Sequence, residues 1–185
     1  MPVDDESIGL LLQAITFAAS KHRDQRRKDS HASPYINHPL QVAELLWRVG
    51  QVRDPHILVA AVLHDTLEDT HTTPNELEEG FGPQVLALVQ EVSDDKRLPK
   101  AVRKRLQIEN ASRITLPAQA LKIADKICNI RDITHNPPVD WSPERKQEYL
   151  DWASQVVNGL RGANSRLEAL FDQELAEGRR ILQEP

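Results

Sequence analysis

Apolar positions recur at three- and four-residue spacing along most of the chain, the signature of amphipathic helices. Ile8, Leu11, Leu12, Ile15, Ala18 and Ala19 form one stripe, which ends in the charged run KHRDQRRK over 21–28 and the polar loop DSHASP over 29–34. Pro39 sits in the first turn of a predicted helix over 39–49, with Val42, Leu45, Leu46 and Val49 facing the core. Pro55 opens a third over about 56–70, whose centre LVAAVL is apolar on all sides and therefore buried. Thr73-Pro74-Asn75-Glu76 is a capping box that starts a short helix, with Gly80 as its stop. Gly82-Pro83 opens another to about Val92, and SDDK over 93–96 is a polar break. Further helices are predicted over 99–112 (very basic), 116–133, 144–160 after Ser142-Pro143, and from Asn164 to about Leu182. No repeat, low-complexity tract or long linker interrupts them. The expectation is an all-α fold, one compact helical bundle of about eight to ten helices.

Composition narrows this further. A chain of 185 residues suits one domain spanning 1–185, large enough to fold on its own core. Hydrophobic residues at 39% and charged residues at 28% argue against global disorder. Seven glycines, three Trp, two Tyr and three Phe are few for a sandwich or barrel. The single cysteine, Cys128, excludes an intrachain disulfide framework and any multi-cysteine zinc site, and fits a reducing compartment. Met1 to Leu10 is acidic and does not read as a leader peptide. No apolar run approaches the roughly 20 residues of a membrane helix. A cytoplasmic protein with no membrane partner is the expectation. The net charge of -5 disfavours DNA or RNA as a partner but permits a local basic pocket.

The candidate chemistry centres on HDTLED, residues 64–69. On a continuous helix His64 stacks over Glu68, and Asp65 over Asp69. Four polar groups at the end of a buried helix cost free energy unless they are paired or hold a metal. The bland alternative is that His64 caps the helix and the acids are solvated. His38, before Pro39, is a second candidate ligand or a simple capping residue. Asp125, in the apolar helix LKIADKICNIRD, needs a partner, either a metal or a cation such as Lys122, Lys126 or Arg131. Asn129 and Asp132 follow on a similar face.

These motifs, in this order, resemble the HD superfamily of metal-dependent phosphohydrolases. They resemble most closely the hydrolase domain of the RelA/SpoT family and its stand-alone small alarmone hydrolases of the metazoan SpoT-homologue kind. The matching stretches are HRDQRRKDSHASPYINHPLQVA, AAVLHDTLEDT, GPQVLALVQEVSDDK, RKRLQIENA, LKIADKICNIRDI and QEYLDWASQVVNGLRG, which cover nearly the whole chain. The resemblance implies that His38, His64, Asp65 and Asp125 hold one metal ion, that Glu68 and Asp69 act on the attacking water, and that Arg27, Lys28 and Asn129 bind the substrate. Two imidazoles and two carboxylates suit several divalent ions by ligand type; the resemblance favours Mn²⁺. It implies hydrolysis of the 3′-pyrophosphate of ppGpp to GDP and of pppGpp to GTP. Another nucleotide, such as NADPH or a deoxynucleotide, is the alternative substrate. A silent nucleotide sensor and a purely structural bundle are the competing classes, and the complete motif set argues against both. With one predicted helix after Gly162, a hydrolase without a synthetase segment is the expectation. A small-molecule nucleotide is the expected partner, with monomer and homodimer both open. Of the remaining cations, Arg23 and Arg26 read as a solvated helix end. Lys100 to Arg105 read as a solvated face, with Lys96, Arg97 or Lys104 as the members that could reach a pocket. Tyr35 either stacks on a base or packs. The three tryptophans read as core or interface residues.

Overall fold

Nine α-helical segments and one 3₁₀ turn (Ala111–Arg113) make up the regular structure of residues 5–183, the part of the chain that the computed structural model describes. The α-helices are α1 (Asp5–Lys21), α2 (Asn37–Arg48), α3 (Pro55–Leu63), α4 (Thr66–Asp69), α5 (Pro74–Val92), α6 (Lys100–Asn110), α7 (Leu116–His135), α8 (Pro143–Asn158) and α9 (Ser165–Gln183). Residues 1–4 and 184–185 lie outside it, and with them part of the acidic N-terminal stretch weighed above as a leader. Among the described residues there is no strand, only an isolated bridge between Arg26 and Pro34. The fold is all-α, as the periodicity predicts.

Local chemistry fixes most helix starts. Asp54, Thr73, Thr115 and Ser142 each accept a backbone N–H of the first turn, and proline follows at the start of the helix. Such a cap contributes about 1 kcal/mol, and proline at that place loses no helical hydrogen bond. The capping box of Thr73 and Glu76 forms in both directions. Asn164 Oδ1 accepts from Leu167 N at 3.2 Å and opens α9.

Burial organises the rest. Leu58 to Leu63 of α3 are all buried, and α3 packs against α1, α2, α5 and α7. Helix α7 buries Leu121, Ile123, Ala124, Ile127 and Ile130 completely and touches α2, α3, α5, α8 and α9. One contiguous hydrophobic core, from Ala14 to Leu175, joins these helices. No helix among the described residues is long and apolar enough to cross a membrane.

Three elements depart from the periodic reading. The helix expected over 56–70 ends at Leu63. There His64 Nδ1 bonds Ala61 O at 2.8 Å and Thr66 Oγ1 bonds Leu63 O at 2.7 Å, so side chains cap the terminal carbonyls. Asp65, at φ -94° and ψ -4°, turns the chain into the single turn of α4. The second departure is that Gly80 does not stop its helix. The break falls at Gly82, with φ +82° and ψ 166°, and Pro83 restarts the helix. The third lies in the charged run, where α1 ends at Lys21. Residues 25–35 fold back on themselves instead: Arg27 N donates to Ser33 O at 2.8 Å, and Tyr35 N to Gln25 O at 3.1 Å.

Candidate active site

The break after α3 turns His64 and Asp65 onto one point. His64 Nε2 lies 3.1 Å from Asp65 Oδ2 and 3.9 Å from Asp125 Oδ1. His38, in the first turn of α2, places Nε2 3.1 Å from Asp125 Oδ1 and 3.8 Å from Asp65 Oδ2. Helix α7 supplies Asp125. Donors bonded at roughly 2.0–2.2 Å to one ion stand about 3 Å apart when adjacent and about 4 Å when opposite. The four observed separations span that range. His38, His64 and Asp65 alone present donor atoms all within 4.8 Å of one another.

The imidazoles support the same conclusion. His64 Nδ1 is engaged by the Ala61 carbonyl, which directs Nε2 into the cleft. Nε2 is buried and has no well-formed hydrogen bond despite its closeness to Asp65. Two groups aimed at a shared third atom, and not at each other, produce that arrangement. Burial lowers the His64 pKa, but Asp65 and then Asp125 outweigh it and raise the pKa to about 9. In the metal-free protein the imidazolium therefore balances the carboxylates. Burial pushes Asp125 up, but Lys126, His38 and His64 hold it well below the usual carboxylate range. The donor set fits a divalent cation.

The bland alternative for Asp125 is realised at the same time. Lys126 Nζ sits 2.8 Å from Asp125 Oδ2, while Oδ1 faces His38 and accepts from Asn129 Nδ2 at 2.6 Å. One carboxylate oxygen is held by the cation and the other faces the centre. Lys122 bonds Val92 O and Arg131 pairs with Glu174, so neither serves Asp125.

Glu68 and Asp69 stand at the rim, on different neighbours. Glu68 does not stack on His64, because the helix is broken between them. Its Oε2 accepts from Asp94 N at 3.1 Å, and its Oε1 faces Lys96 at 3.2 Å and Arg103 at 3.4 Å. Burial, with Asp94 and Asp65 nearby, raises its pKa. Asp69 Oδ1 pairs with Lys96 at 2.6 Å, and its Oδ2 is 3.3 Å from the Tyr35 hydroxyl. Tyr35 donates to Asp65 Oδ2 at 2.6 Å. The expectation for Tyr35 was stacking or packing. Its ring packs against His22 and His38, and its hydroxyl also links the Asp65 carboxylate to the rim, a contact that the motif PYINHP does not signal.

A cleft of about 170 Å³ contains His38, His64, Asp65, Glu68, Asp69 and Asp125. It opens into a groove of about 460 Å³ through the shared walls Tyr35, Asp69 and Asn129. Arg27, Lys28, Trp141 and Tyr149 line that groove. Arg27 forms a close ion pair with Asp132, stacks on Tyr35 and reaches Asn129 Oδ1 at 3.4 Å. Lys28 is exposed at its mouth. Arg23 and Arg26 take the solvated roles expected of them, on Asp24 and on backbone carbonyls.

Other cations were missed by periodicity. Burial and then Arg145, Lys28 and Arg103 lower the Lys100 pKa, so these positive groups crowd one another. Among the described residues, Lys28, Lys100 and Arg145 form no ion pair. Only the return of α8 past the start of α6 brings them together. Arg97 is exposed on Asp95, and Lys104 stacks on Trp152, leaving Lys96 as the expected member that reaches the site. Trp47 packs under Arg53, whereas Trp141 forms groove wall. Cys128 is buried and its thiol is pushed up to about 12, so it takes no part.

Comparison with known proteins agrees with this geometry. The profile of the HD domain family matches residues 14–155. The chain is 53% identical over 163 residues to the Xenopus tropicalis protein named guanosine-3′,5′-bis(diphosphate) 3′-pyrophosphohydrolase MESH1, covering 88% of this chain and 91% of that one. The Homo sapiens protein of the same name is 54% identical over 158 residues, covering 85% and 88%. A solved structure of a metazoan ortholog of SpoT, described as hydrolyzing ppGpp and playing a role in starvation responses, superposes with a TM-score of 0.89. It is 44% identical, with 94% of this chain and 96% of that one covered. The chain belongs to the HD domain family and, within it, to the SpoT-like group that includes these MESH1 proteins.

Proposed function

We propose that this protein is a guanosine-3′,5′-bis(diphosphate) 3′-pyrophosphohydrolase, converting ppGpp to GDP and pppGpp to GTP with release of pyrophosphate. The observation that supports this most strongly is the cleft that gathers His38, His64, Asp65 and Asp125 and opens into a groove lined by Arg27 and Lys28, with Lys100 and Arg145 crowded near Lys28 and outside any ion pair among the described residues. A substrate carrying two pyrophosphate groups supplies the missing negative charge. Relatives covering nearly the whole chain bear the name of that activity. The single core running from α1 to α9 supports reading residues 1–185 as one catalytic domain.

In this reading His38, His64, Asp65 and Asp125 hold one Mn²⁺. When bound, the ion acidifies a water and withdraws charge from phosphorus. Glu68 and Asp69 orient that water, and Glu68, raised by burial, takes up its proton. The bond that breaks joins phosphorus to the ribose 3′ oxygen, and the same acidic pair supplies the proton that the departing oxygen needs. Arg27, Lys28, Lys100 and Arg145 bind phosphate oxygens, and Asn129 orients the nucleotide while holding Asp125. Tyr149 and Trp141 offer flat walls to the nucleoside.

The test is pyrophosphate release from ppGpp by metal-stripped protein with Mn²⁺ added back, beside Asp65→Ala and Glu68→Ala. Both variants should be inactive. A wild type that releases no pyrophosphate, or a fully active Glu68→Ala, overturns the reading. NADPH and deoxynucleotides in the same assay measure specificity.

A further inference from the structure

Behind the metal cleft two carboxylates face each other. The backbone N–H of Asp94 binds Glu68 Oε2 at 3.1 Å, which brings the Asp94 side chain alongside. Arg103, on the first turn of α6, lies between the two acids. Its Nη1 is 3.4 Å from Glu68 Oε1 and 3.6 Å from Asp94 Oδ2. Gln107, one turn later, donates to the same Asp94 oxygen at 2.8 Å. Lys96 also reaches Glu68, but its side chain is 47% exposed against 20% for Arg103. The less exposed cation is screened less by solvent and salt. Arg103 does not line the metal cleft, whereas Gln107 does.

We infer that Arg103 is a positioning residue for the hydrolysis, bridging the Glu68 and Asp94 carboxylates so that Glu68 keeps the orientation in which it meets the attacking water. Without the bridge, two like charges repel across a poorly solvated gap, and Glu68 swings away from the cleft. The inference rests on the alarmone reading for its substrate but on the Glu68–Arg103–Asp94 contacts for its geometry.

The experiment compares Arg103→Met, Arg103→Lys and the double variant Arg103→Met/Asp94→Asn in the full chain with Mn²⁺. Arg103→Met should lower kcat on ppGpp roughly 10- to 100-fold while KM stays within about twofold. The acid limb of its pH profile should move upward. Arg103→Lys should keep most of the activity, and Asp94→Asn should restore part of what Arg103→Met loses, because the repelling charge is gone. A rise in KM at constant kcat would make Arg103 a phosphate ligand and overturn the inference. So would an activity loss that Asp94→Asn does not relieve. An activity-independent readout is the carbon-13 titration of the Glu68 carboxyl in metal-free protein. It should shift upward in Arg103→Met and return toward wild type in the double variant. If wild type is inert on ppGpp, the substrate assignment fails, and an unmoved titration then rejects the role of Arg103 separately.

Discussion

His64 Nε2 and Asp65 Oδ2 stand 3.1 Å apart although adjacent residues on a regular helix point about 100° away from each other. The end of α3 at Leu63 makes the contact possible, and the Ala61 carbonyl fixes the ring that completes it. Divalent metal should therefore bind tightly to wild type, and Asp65→Ala should lose at least about 100-fold in affinity. Isothermal titration with Mn²⁺ on chelator-treated protein measures this. Binding at 100 times Kd should also stabilise wild type by about 2.7 kcal/mol, and should not stabilise the variant.

Protons compete with metal at this centre. The His64 pKa of about 9 in the metal-free site means that metal must displace a proton at neutral pH. Apparent metal affinity should rise by about tenfold per pH unit from pH 7 toward 9, then level off. The metal-free protein should show the opposite trend. A raised histidine pKa stabilises the fold fully below its unfolded value near 6.5, and that contribution is lost as pH rises through about 9. Thermal melts with chelator and with Mn²⁺ should nearly coincide at pH 6 and separate progressively at pH 8 and 10.

The Tyr35 hydroxyl supports Asp65 from the second layer. Tyr35→Phe keeps the ring contacts with His22 and His38 but removes the donor 2.6 Å from Asp65 Oδ2. Loss of such outer support typically costs about 10- to 100-fold in metal affinity. The change in global stability should stay near 1 kcal/mol, the net value of one hydrogen bond. A variant that binds Mn²⁺ as well as wild type would show that the hydroxyl merely packs.

The basic rim should act on KM. Lys100→Ala removes a cation crowded by Arg145 and Lys28 and paired with no acid. Relieving that repulsion should leave the free protein as stable or slightly more stable. Losing one phosphate contact should raise KM for ppGpp about 10-fold, as charge-assisted hydrogen bonds contribute roughly 1.5–3 kcal/mol. The increase should shrink at high salt. Steady-state kinetics at two ionic strengths, with denaturant melts, check both halves.

The part of this architecture that was legible in the sequence is the part written in local chemistry. Caps at Thr73 and Ser142, the prolines after them and the all-round apolar run of α3 place helices where the structure has them. His38, His64, Asp65 and Asp125 are legible as motifs, and their side chains line one cleft. What periodicity could not supply was long-range. Arg103 meets Glu68, and Lys28 meets Lys100, only because α6 and α8 return past the cleft. The break at His64 was hidden because a helix and a helix followed by a one-turn restart present nearly the same spacing. Side chains bonded to the Ala61 and Leu63 carbonyls decide between the two.

Gly80 and Gly82 separate a local rule from its exception. The sequence makes Gly80 the stop, yet it is helical, and a Cβ built there meets nothing closer than Gln13 Nε2 at 3.9 Å. Gly80→Ala should therefore stabilise the protein by about 0.5–1 kcal/mol, since alanine loses less backbone entropy in a helix. At Gly82 the space is also open, with nothing within 4 Å of the added Cβ. Its φ of +82° with ψ 166° lies in a region almost reserved for glycine. Gly82→Ala should cost about 1–3 kcal/mol through backbone strain alone, with no steric clash to relieve. Urea unfolding of the two variants should therefore move the midpoint in opposite directions, although the substitutions are chemically identical and two residues apart. Equal shifts would mean that the break between the halves of α5 is set by Pro83, whose missing N–H and fixed φ also end a helix, and not by the glycine.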